Sequence, residues 1–575
     1  MYKHLFIRAG VAFIAGVVAI AAAAQPAVPP ERKSETMIGT QRLAEICGVR
    51  DITVTPTSAT SARFELDFAP GRRPEKALTD VLGVRGNTFT RSKEDPNRFI
   101  GTMKFDFAQF ARDQTMRERL AREGKKVPIF ESRQLVGFRE IEFLNPQEIS
   151  KAIRAKAAFH IPIGILTGLP VIIDPSRELM ISDKSVVEDP GRTSDGCTNG
   201  GTPMGAWTFG KLMTDMANKA QTGTDPSDFV EHWLKTWETD QSVNGFNVTK
   251  RTQIDSILNA WPRLNGKLDL SKAPMRLLAI VNRVDLRNGG IYGGGNAGEG
   301  RFVFGVLQSC NSTPFTVILE YGVPISGCIA VENWAKKWHA LGSIALGSAG
   351  FNPALQSITD TFAKAGAAPT KPNGSALNQL RTDEIALAGP WQLREFHIET
   401  DHQLHQVVVK QTPDTTLNAT QTVANYINGN EAQILANTYA VPLDFPAGSH
   451  FLGGSSDNTQ APWKAAGINS NDARNKFSLG TCNACHGAET STGQFTHISP
   501  RQAGQVSSLS EFLVGTGTVA HPNEFTMPDP VVPATIRTYG DLVRRQSDLS
   551  TLVSTQCFAG GLFREAAFRE LKMTH

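Results

Sequence analysis

A five-residue pattern near the C-terminus, Cys482-Asn483-Ala484-Cys485-His486, constrains this chain more than any other feature. Positions i, i+3 and i+4 share one face of a helix, so the pattern predicts a helical turn that presents two thiols and an imidazole together. Cys-x-x-Cys-His is the attachment pattern for haem c. We therefore expect one covalent haem on Cys482 and Cys485, with His486 as an axial ligand of the iron.

Two other chemistries use a Cys-x-x-Cys pair. A redox dithiol usually begins a helix in a βαβ context, and the sequence around residue 482 does not have that pattern. A zinc site would need a second ligand pair, and the chain contains no second Cys-x-x-Cys. A structural disulfide between Cys482 and Cys485 is the remaining alternative without a cofactor.

The first residues predict export from a bacterial cytoplasm. Lys3 and Arg8 flank the start of an apolar run over 9–23 that ends in small residues, as signal peptidase cleavage requires. The run is rich in Ala and Gly and short for a bilayer core of about 30 Å, so we interpret 1–24 as a signal peptide. The Pro-rich, charged residues 25–40 are interpreted as a linker. We expect a periplasmic or secreted protein.

The near balance of 58 basic and 55 acidic residues gives a formal charge of +3. This balance provides no electrostatic reason to bind nucleic acid or an anionic membrane. We expect neither as a partner after signal cleavage. A haem would imply a redox protein as the partner.

The chain has seven cysteines, and export favours pairing among those outside the motif. Strand-like runs lie near Cys310 and Cys328, so these two are the predicted disulfide. The sequence leaves the connectivity of Cys47, Cys197 and Cys557 open.

At 575 residues the chain is too long for one core. We expect an α+β, multi-domain protein with a small α+β N-terminal module at 41–147, an α+β central body at 148–460 and a mostly α-helical haem domain at 461–575. Apolar periodicity predicts strands at 52–55, 62–68, 277–285, 302–307 and 315–321, helices at 107–123, 204–220, 227–237, 330–341, 509–513 and 539–553, a helix from 471 toward 486, and a hairpin over 393–410.

The last hundred residues resemble a class I c-type cytochrome. In that family a Cys-x-x-Cys-His helix is followed by a loop, a methionine that binds the iron from the other side, and a C-terminal helix. Met527, in a Pro-rich loop ahead of the helix 539–553, matches that order. The loop 487–501 lacks the family's Gly-Pro-x-Leu element, and residues 560–575 extend past its expected end. The whole chain is similar in layout to uncharacterised exported proteins of proteobacteria and myxobacteria with such a motif near the C-terminus.

The second axial ligand stays open between two residues. The resemblance implies Met527, whose thioether would raise the haem potential relative to a second imidazole. His497 is close enough in sequence to fold over the haem. Aromatic and aliphatic residues of the same segment are candidates for apolar cover of the porphyrin: Phe477, Phe495, Phe512, Leu513 and Phe525.

For two further motifs we predict no bound ligand. Gly293, Gly295 and Gly298 satisfy G-x-G-x-x-G, but a strand rather than a helix is predicted to follow, so no helix N-terminus would hold a pyrophosphate. His397, His402 and His405 cluster in the predicted hairpin, where the first and last lie on opposite strands and the second at the turn. A solvated hairpin is the better interpretation.

These observations support three functional hypotheses. The first is an exported monohaem c-type cytochrome-like protein for electron transfer. The second is a haem enzyme of peroxidase or oxygenase type with an open iron site. The third is a non-haem extracellular binding or structural protein with a Cys482–Cys485 disulfide. No catalytic residue can be assigned from the sequence, and whether the protein is an enzyme stays open.

Overall fold

A computed structural model of the chain describes residues 49–58, 61–68, 89–104, 107–124, 127–131, 134–139, 143–160, 172–197, 200–287, 297–459, 462–492, 495–516 and 524–554. The predicted signal peptide and linker, together with Cys47, Gly293, Gly295 and Cys557, lie outside these residues.

The strands of the described residues are β1 Val49–Ser58, β2 Ser61–Phe68, β3 Phe89–Arg91, β4 Arg98–Lys104, β5 Val127–Glu131, β6 Gln134–Arg139, β7 Phe159–His160, β8 Met180–Ile181, β9 Ser194–Asp195, β10 Gly200–Gly201, β11 Gln241–Val243, β12 Phe246–Val248, β13 Arg263–Leu264, β14 Lys267–Leu268, β15 Met275–Arg283, β16 Glu299–Gln308, β17 Asn311–Gly322, β18 Leu377–Glu384, β19 Gln392–Ile398, β20 Leu404–Val407, β21 Ser456–Asp457, β22 Phe525–Pro528 and β23 Ile536–Tyr539. The α-helices are α1 Phe107–Arg122, α2 Pro146–Ala155, α3 Pro175–Glu178, α4 Lys184–Val187, α5 Phe209–Ala217, α6 Lys219–Thr222, α7 Pro226–Lys235, α8 Ile254–Ala260, α9 Cys328–Leu341, α10 Phe351–Ala363, α11 Gln421–Gly429, α12 Glu431–Leu435, α13 Asn471–Leu479, α14 Cys482–Cys485, α15 Glu511–Val514 and α16 Asp541–Ser554.

An antiparallel sheet of order β3-β4-β2-β1-β7 forms the N-terminal part. Along β2, buried residues alternate with more exposed ones, and this places Phe64, Leu66 and Phe68 on one face. The predicted strands 52–55 and 62–68 and the predicted helix 107–123 are confirmed by β1, β2 and α1.

The central sheet has the order β20-β19-β18-β17-β16-β15-β8, with β21 paired to β19, and its neighbours are antiparallel. Register brings Phe302, Leu319, Leu380 and Phe396 into one row across four strands. This apolar face packs against helices on one side of the sheet. Trp233 on α7, for example, meets the Phe396 ring edge-on at 6.1 Å.

Helix α7 shows why these helices form where they do. Asp225 caps its start by accepting a hydrogen bond from the Ser227 backbone, and Pro226 occupies the first turn. Phe229 and Trp233, four residues apart, share the buried face of the helix.

The expectation of a mostly α-helical C-terminal domain is wrong. The structure is mixed, with 34% helix, 26% strand and several antiparallel sheets. Among the residues described after α14, the segment contains the one-turn helix α15, the hairpin β22–β23 and one long helix, α16. Its apolar side chains, Phe512 and Leu549 among them, belong to the same hydrophobic cluster as residues of the central sheet. The segment therefore gains its burial by covering that sheet.

The predicted Cys310–Cys328 disulfide is also wrong, because Cys310 is bonded to Cys197, with their Cα atoms 5.5 Å apart. Cys310 lies at the turn before β17, and Cys328 follows the far end of that 12-residue strand. A strand of this length spans roughly 40 Å, far beyond the reach of a disulfide. That the protein contains a disulfide is confirmed, with a different partner.

Candidate functional site

The Cys-x-x-Cys-His motif forms a separate helical turn. Helix α13 begins after Ser470, whose hydroxyl accepts from the Ala473 backbone, and it ends at Gly480. The motif cysteines then begin and end α14, and His486 is its C-terminal cap. Cys482, Cys485 and His486 are 0%, 1% and 2% exposed. The local turn therefore forms as predicted, and it lies inside the protein.

The imidazole of His486 is held on two sides. Its Nδ1 lies 2.7 Å from the carbonyl oxygen of Phe495, and because a carbonyl only accepts, Nδ1 carries the proton. The ring stacks on Trp391 at 5.3 Å with an interplanar angle of 23°. Burial lowers the pKa of His486 to about 4, so the ring is neutral at pH 7. Its Nε2 is then the nitrogen that can bind a metal.

The Cys482 thiol is in an apolar environment, where it packs with Trp391, Leu393 and Val409. Burial raises its pKa to about 11, although the nearby Arg381 guanidinium opposes the rise. The group is therefore a thiol at neutral pH. A reactive redox dithiol needs a lowered thiol pKa, so this environment does not suit that chemistry.

Cys485 lies next to His497, with 3.6 Å between its Sγ and the His497 Nε2. On the other side of the same ring, Nδ1 lies 2.8 Å from the Ser510 hydroxyl. In the described part of the chain neither Cys482 nor Cys485 takes part in a disulfide.

Of the two candidates for the second axial ligand, the structure places His497 next to the motif. His497 is buried, and its ring centroid is 4.6 Å from that of His486. Burial and the neighbouring His486 and Arg545 hold the pKa of His497 well below its usual range. Met527 instead lies half-buried on β22, opposite Arg537 of β23, and packs against the main hydrophobic cluster.

The predicted apolar cover is only partly at the site. Phe495 packs on Trp391 at 5.8 Å, and Phe512 packs on His497 at 5.2 Å. Phe525 stacks on Tyr539, 6.4 Å away. Phe477 belongs to another cluster, around Trp463 and Tyr426. Leu513 lines a cavity beside His486.

This cavity has a volume of about 50 Å³ and lies between the C-terminal segment and the central sheet. Its walls include His486 and His497, sheet residues such as Val303 and Ile318, and the carboxyl group of Asp383. Burial raises the pKa of Asp383 well above its usual range, and the adjacent Glu384 adds to the rise.

Comparison with known proteins adds no assignment. No protein-family model, curated protein or solved structure matches this chain.

The donor groups of the motif fit a covalent haem, but the free space around the motif does not. Two thiols and a neutral imidazole with protonated Nδ1 are the groups that haem c attachment uses. The cavity is much smaller than the roughly 300–1,000 Å³ of pockets that enclose drug-sized ligands. With the side chains in these positions, a porphyrin has no room beside His486.

The sequence interpretation missed the part of the site that the central sheet supplies. Strand β18 carries Arg381 and Asp383 although it is buried on both faces. Arg381 Nε lies 3.0 Å from Glu395 on the next strand, and the Asp383 carboxylate accepts from Trp391 Nε1. Burying a charged side chain is energetically unfavourable unless it is paired. Arg381 and Asp383 could therefore have indicated in the sequence that this strand takes part in a site.

Of the glycine motif, Gly298 is the member that lies among the described residues. The strand β16 follows Gly298, as predicted. His397 and His405 pair across β19 and β20, and His402 lies at the turn with its Nδ1 2.8 Å from Asn373 Oδ1. Among the described residues, no group of three or more His, Cys, Asp or Glu is arranged to hold a metal ion. No helix in the described ranges is long and apolar enough to span a membrane.

Proposed function

We propose that this chain is an exported protein that carries one haem covalently on Cys482 and Cys485, with His486 as an axial ligand, and that it transfers electrons to or from a partner protein. The observation that carries the proposal is the hydrogen bond from His486 Nδ1 to the Phe495 carbonyl, 2.7 Å long, at the end of the Cys482–Cys485 turn. Metal-binding histidines are typically oriented by such a bond, which leaves Nε2 for the metal.

Each residue has a definite task in this proposal. The haem supplies an iron that gains and loses one electron. Cys482 and Cys485 would retain the group through thioethers, and His486 would bind the iron through Nε2. The Phe495 carbonyl and the Trp391 ring hold the imidazole in place. Met527 or His497 would supply the second protein ligand.

In this proposal, the side chain that covers His486 must move when the haem is attached. His497 lies against His486, and the adjoining cavity of about 50 Å³ is too small for a porphyrin. His497 belongs to the segment that follows the motif, outside any long helix. Its side chain would move while the Phe495 carbonyl stays on His486 Nδ1 and the central sheet stays in place.

The same close packing favours a second candidate, a non-haem exported binding or structural protein. There the apolar surroundings of Cys482 and the contact between His486 and His497 serve as ordinary core. Cys482 and Cys485 would be thiols or a disulfide in that protein.

Intact mass and visible absorption after periplasmic expression with cytochrome maturation factors separate these candidates. We expect a mass increase of one haem and a Soret band, with a low-spin reduced spectrum for electron transfer. Cys482→Ala and Cys485→Ala should each lose covalent attachment through that sulfur, whereas Ala484→Ser, which leaves the motif intact, should retain it. Colourless wild-type protein of unmodified mass would refute the haem proposal and leave the second candidate.

A further inference from the structure

Three arginines line the cavity beside His486. They are Arg283 on β15, Arg301 on β16 and Arg545 on α16. Arg545 is 2% exposed, and its Nε and Nη1 are buried without a hydrogen-bond partner. A buried charged donor without an acceptor is unfavourable, so Arg545 requires an explanation.

Carboxylates hold each guanidinium in place from outside the cavity. Arg283 Nε lies 2.9 Å from Asp285 Oδ1, and Arg301 Nη2 lies 2.6 Å from Glu299 Oε2. Arg545 Nη2 lies 2.5 Å from Asp541 Oδ2. None of these three carboxylates lines the cavity.

The cavity wall contains one carboxyl group, that of Asp383, and it already accepts a hydrogen bond from Trp391 Nε1. Most of the remaining wall is apolar, with residues such as Val281 and Leu513. Burial lowers the pKa of Arg545 to about 9, and the positive charge of Arg283 adds to this effect.

We propose that this cavity binds a small oxyanion of about three to five non-hydrogen atoms, held by Arg545 together with Arg283 and Arg301. One water needs about 10–15 Å³, so a cavity of about 50 Å³ holds the equivalent of several waters. Nitrite, nitrate, formate and sulfate are of this size. The site needs only guanidinium donors, so it does not depend on the proposed haem.

Titration of the purified full-length protein with these four anions tests the proposal. Binding is measured by calorimetry and by the thermal unfolding midpoint, at constant ionic strength with chloride as the reference anion. We expect saturable binding of at least one anion and a rise of the midpoint with its concentration. Arg545→Gln should weaken binding at least tenfold, because it removes the charged donor.

Arg263→Gln is the matched control, since it removes an exposed arginine paired with Glu231 on another part of the surface. It should bind like the wild type. If Arg545→Gln does not fold, Val281→Leu reduces the cavity without changing a charge and should also weaken binding. The proposal is wrong if no anion binds saturably to the wild type, or if Arg545→Gln binds equally well.

A haem-loaded sample distinguishes a free oxyanion from the carboxylate of a cofactor. Retention of binding after haem attachment supports a site for a free oxyanion. Complete loss of binding after attachment would instead assign the guanidiniums to the cofactor and overturn the proposal. Colourless protein that still binds the anion would contradict only the proposed haem function.

Discussion

Arg474 lies buried in the C-terminal segment, where its guanidinium donates to Glu489 at 2.8 and 2.9 Å and to Asp529 at 2.9 Å. Arg381 of the central sheet is held in the same way by Glu395. Buried charges are tolerated when they are paired and hydrogen-bonded in this way. Arg545 is different, because two of its buried nitrogens lack acceptors, and this difference is the basis of the anion proposal.

Glu178 and His339 form a buried acid–imidazole pair, with 2.9 Å between Glu178 Oε2 and His339 Nδ1. Burial raises the pKa of Glu178 to about 7, although His339 opposes the rise. Between pH 4.5 and 7 the folded state therefore binds more protons than the unfolded state, and stability falls as the pH rises. Glu178→Gln should remove this dependence, which amounts to at most about 3 kcal/mol.

Urea unfolding at several pH values between 4.5 and 7.5 measures the effect. The exposed Glu123→Gln variant is the control and should follow the wild-type curve. Parallel curves for the wild type and Glu178→Gln would show that the carboxyl group of Glu178 does not titrate in this range.

Several strands of the central sheet, although not β18, were predicted as single elements. The predicted strands 302–307 and 315–321 lie within β16 and β17, and the hairpin over 393–410 is formed by β19 and β20. Dense apolar runs and local turns encode these elements. The partner of Cys310 was not predictable, because Cys197 is 113 residues away in sequence.

The turn into β16 depends on Gly298. Its φ is +84°, and a Cβ there would lie 2.2 Å from the Arg283 carbonyl oxygen. Gly266 has a similar φ of +80°, but nothing lies within 4 Å of its Cβ position. Gly298→Ala should therefore be more destabilising than Gly266→Ala by about 1–3 kcal/mol, since only Gly298→Ala adds a backbone clash to the strain of the left-handed conformation.

Chemical unfolding of both variants tests this difference. Gly266→Ala should cost about 1–2 kcal/mol from conformation alone. Equal losses of unfolding free energy in the two variants would mean that the backbone at Gly298 moves away without cost.

In the molecule as a whole, the C-terminal segment covers the central sheet. Arg287, just after β15, binds Asp548 of α16, with 2.9 Å between Nη2 and Oδ1. Arg501 donates to the carbonyl of Leu277 at 2.9 Å. The proposed haem site and the cavity both lie under this cover, so they depend on residues more than 200 positions apart in sequence.

The Cys197–Cys310 disulfide closes a loop of 113 residues and links the Cys197 turn to the central sheet. The double variant Cys197→Ser/Cys310→Ser should lose about 4 kcal/mol of unfolding free energy, because its unfolded chain is no longer constrained. Cys328→Ser leaves this bond intact and is the control. Urea unfolding of the oxidised proteins measures both, and a double variant as stable as the control would contradict the pairing.

The sequence by itself determined the helical turn of Cys482–His486 and several elements of the central region, such as β15, β16, α5 and α7, because these depend on residues within a few positions of one another. Only the tertiary structure decided that Cys310 pairs with Cys197 and that the C-terminal segment covers a sheet instead of forming a helical domain. It also decided that Trp391 and Arg545 lie beside the motif. These features arise from pairing between distant parts of the chain, whose outcome depends on the packing of the whole molecule.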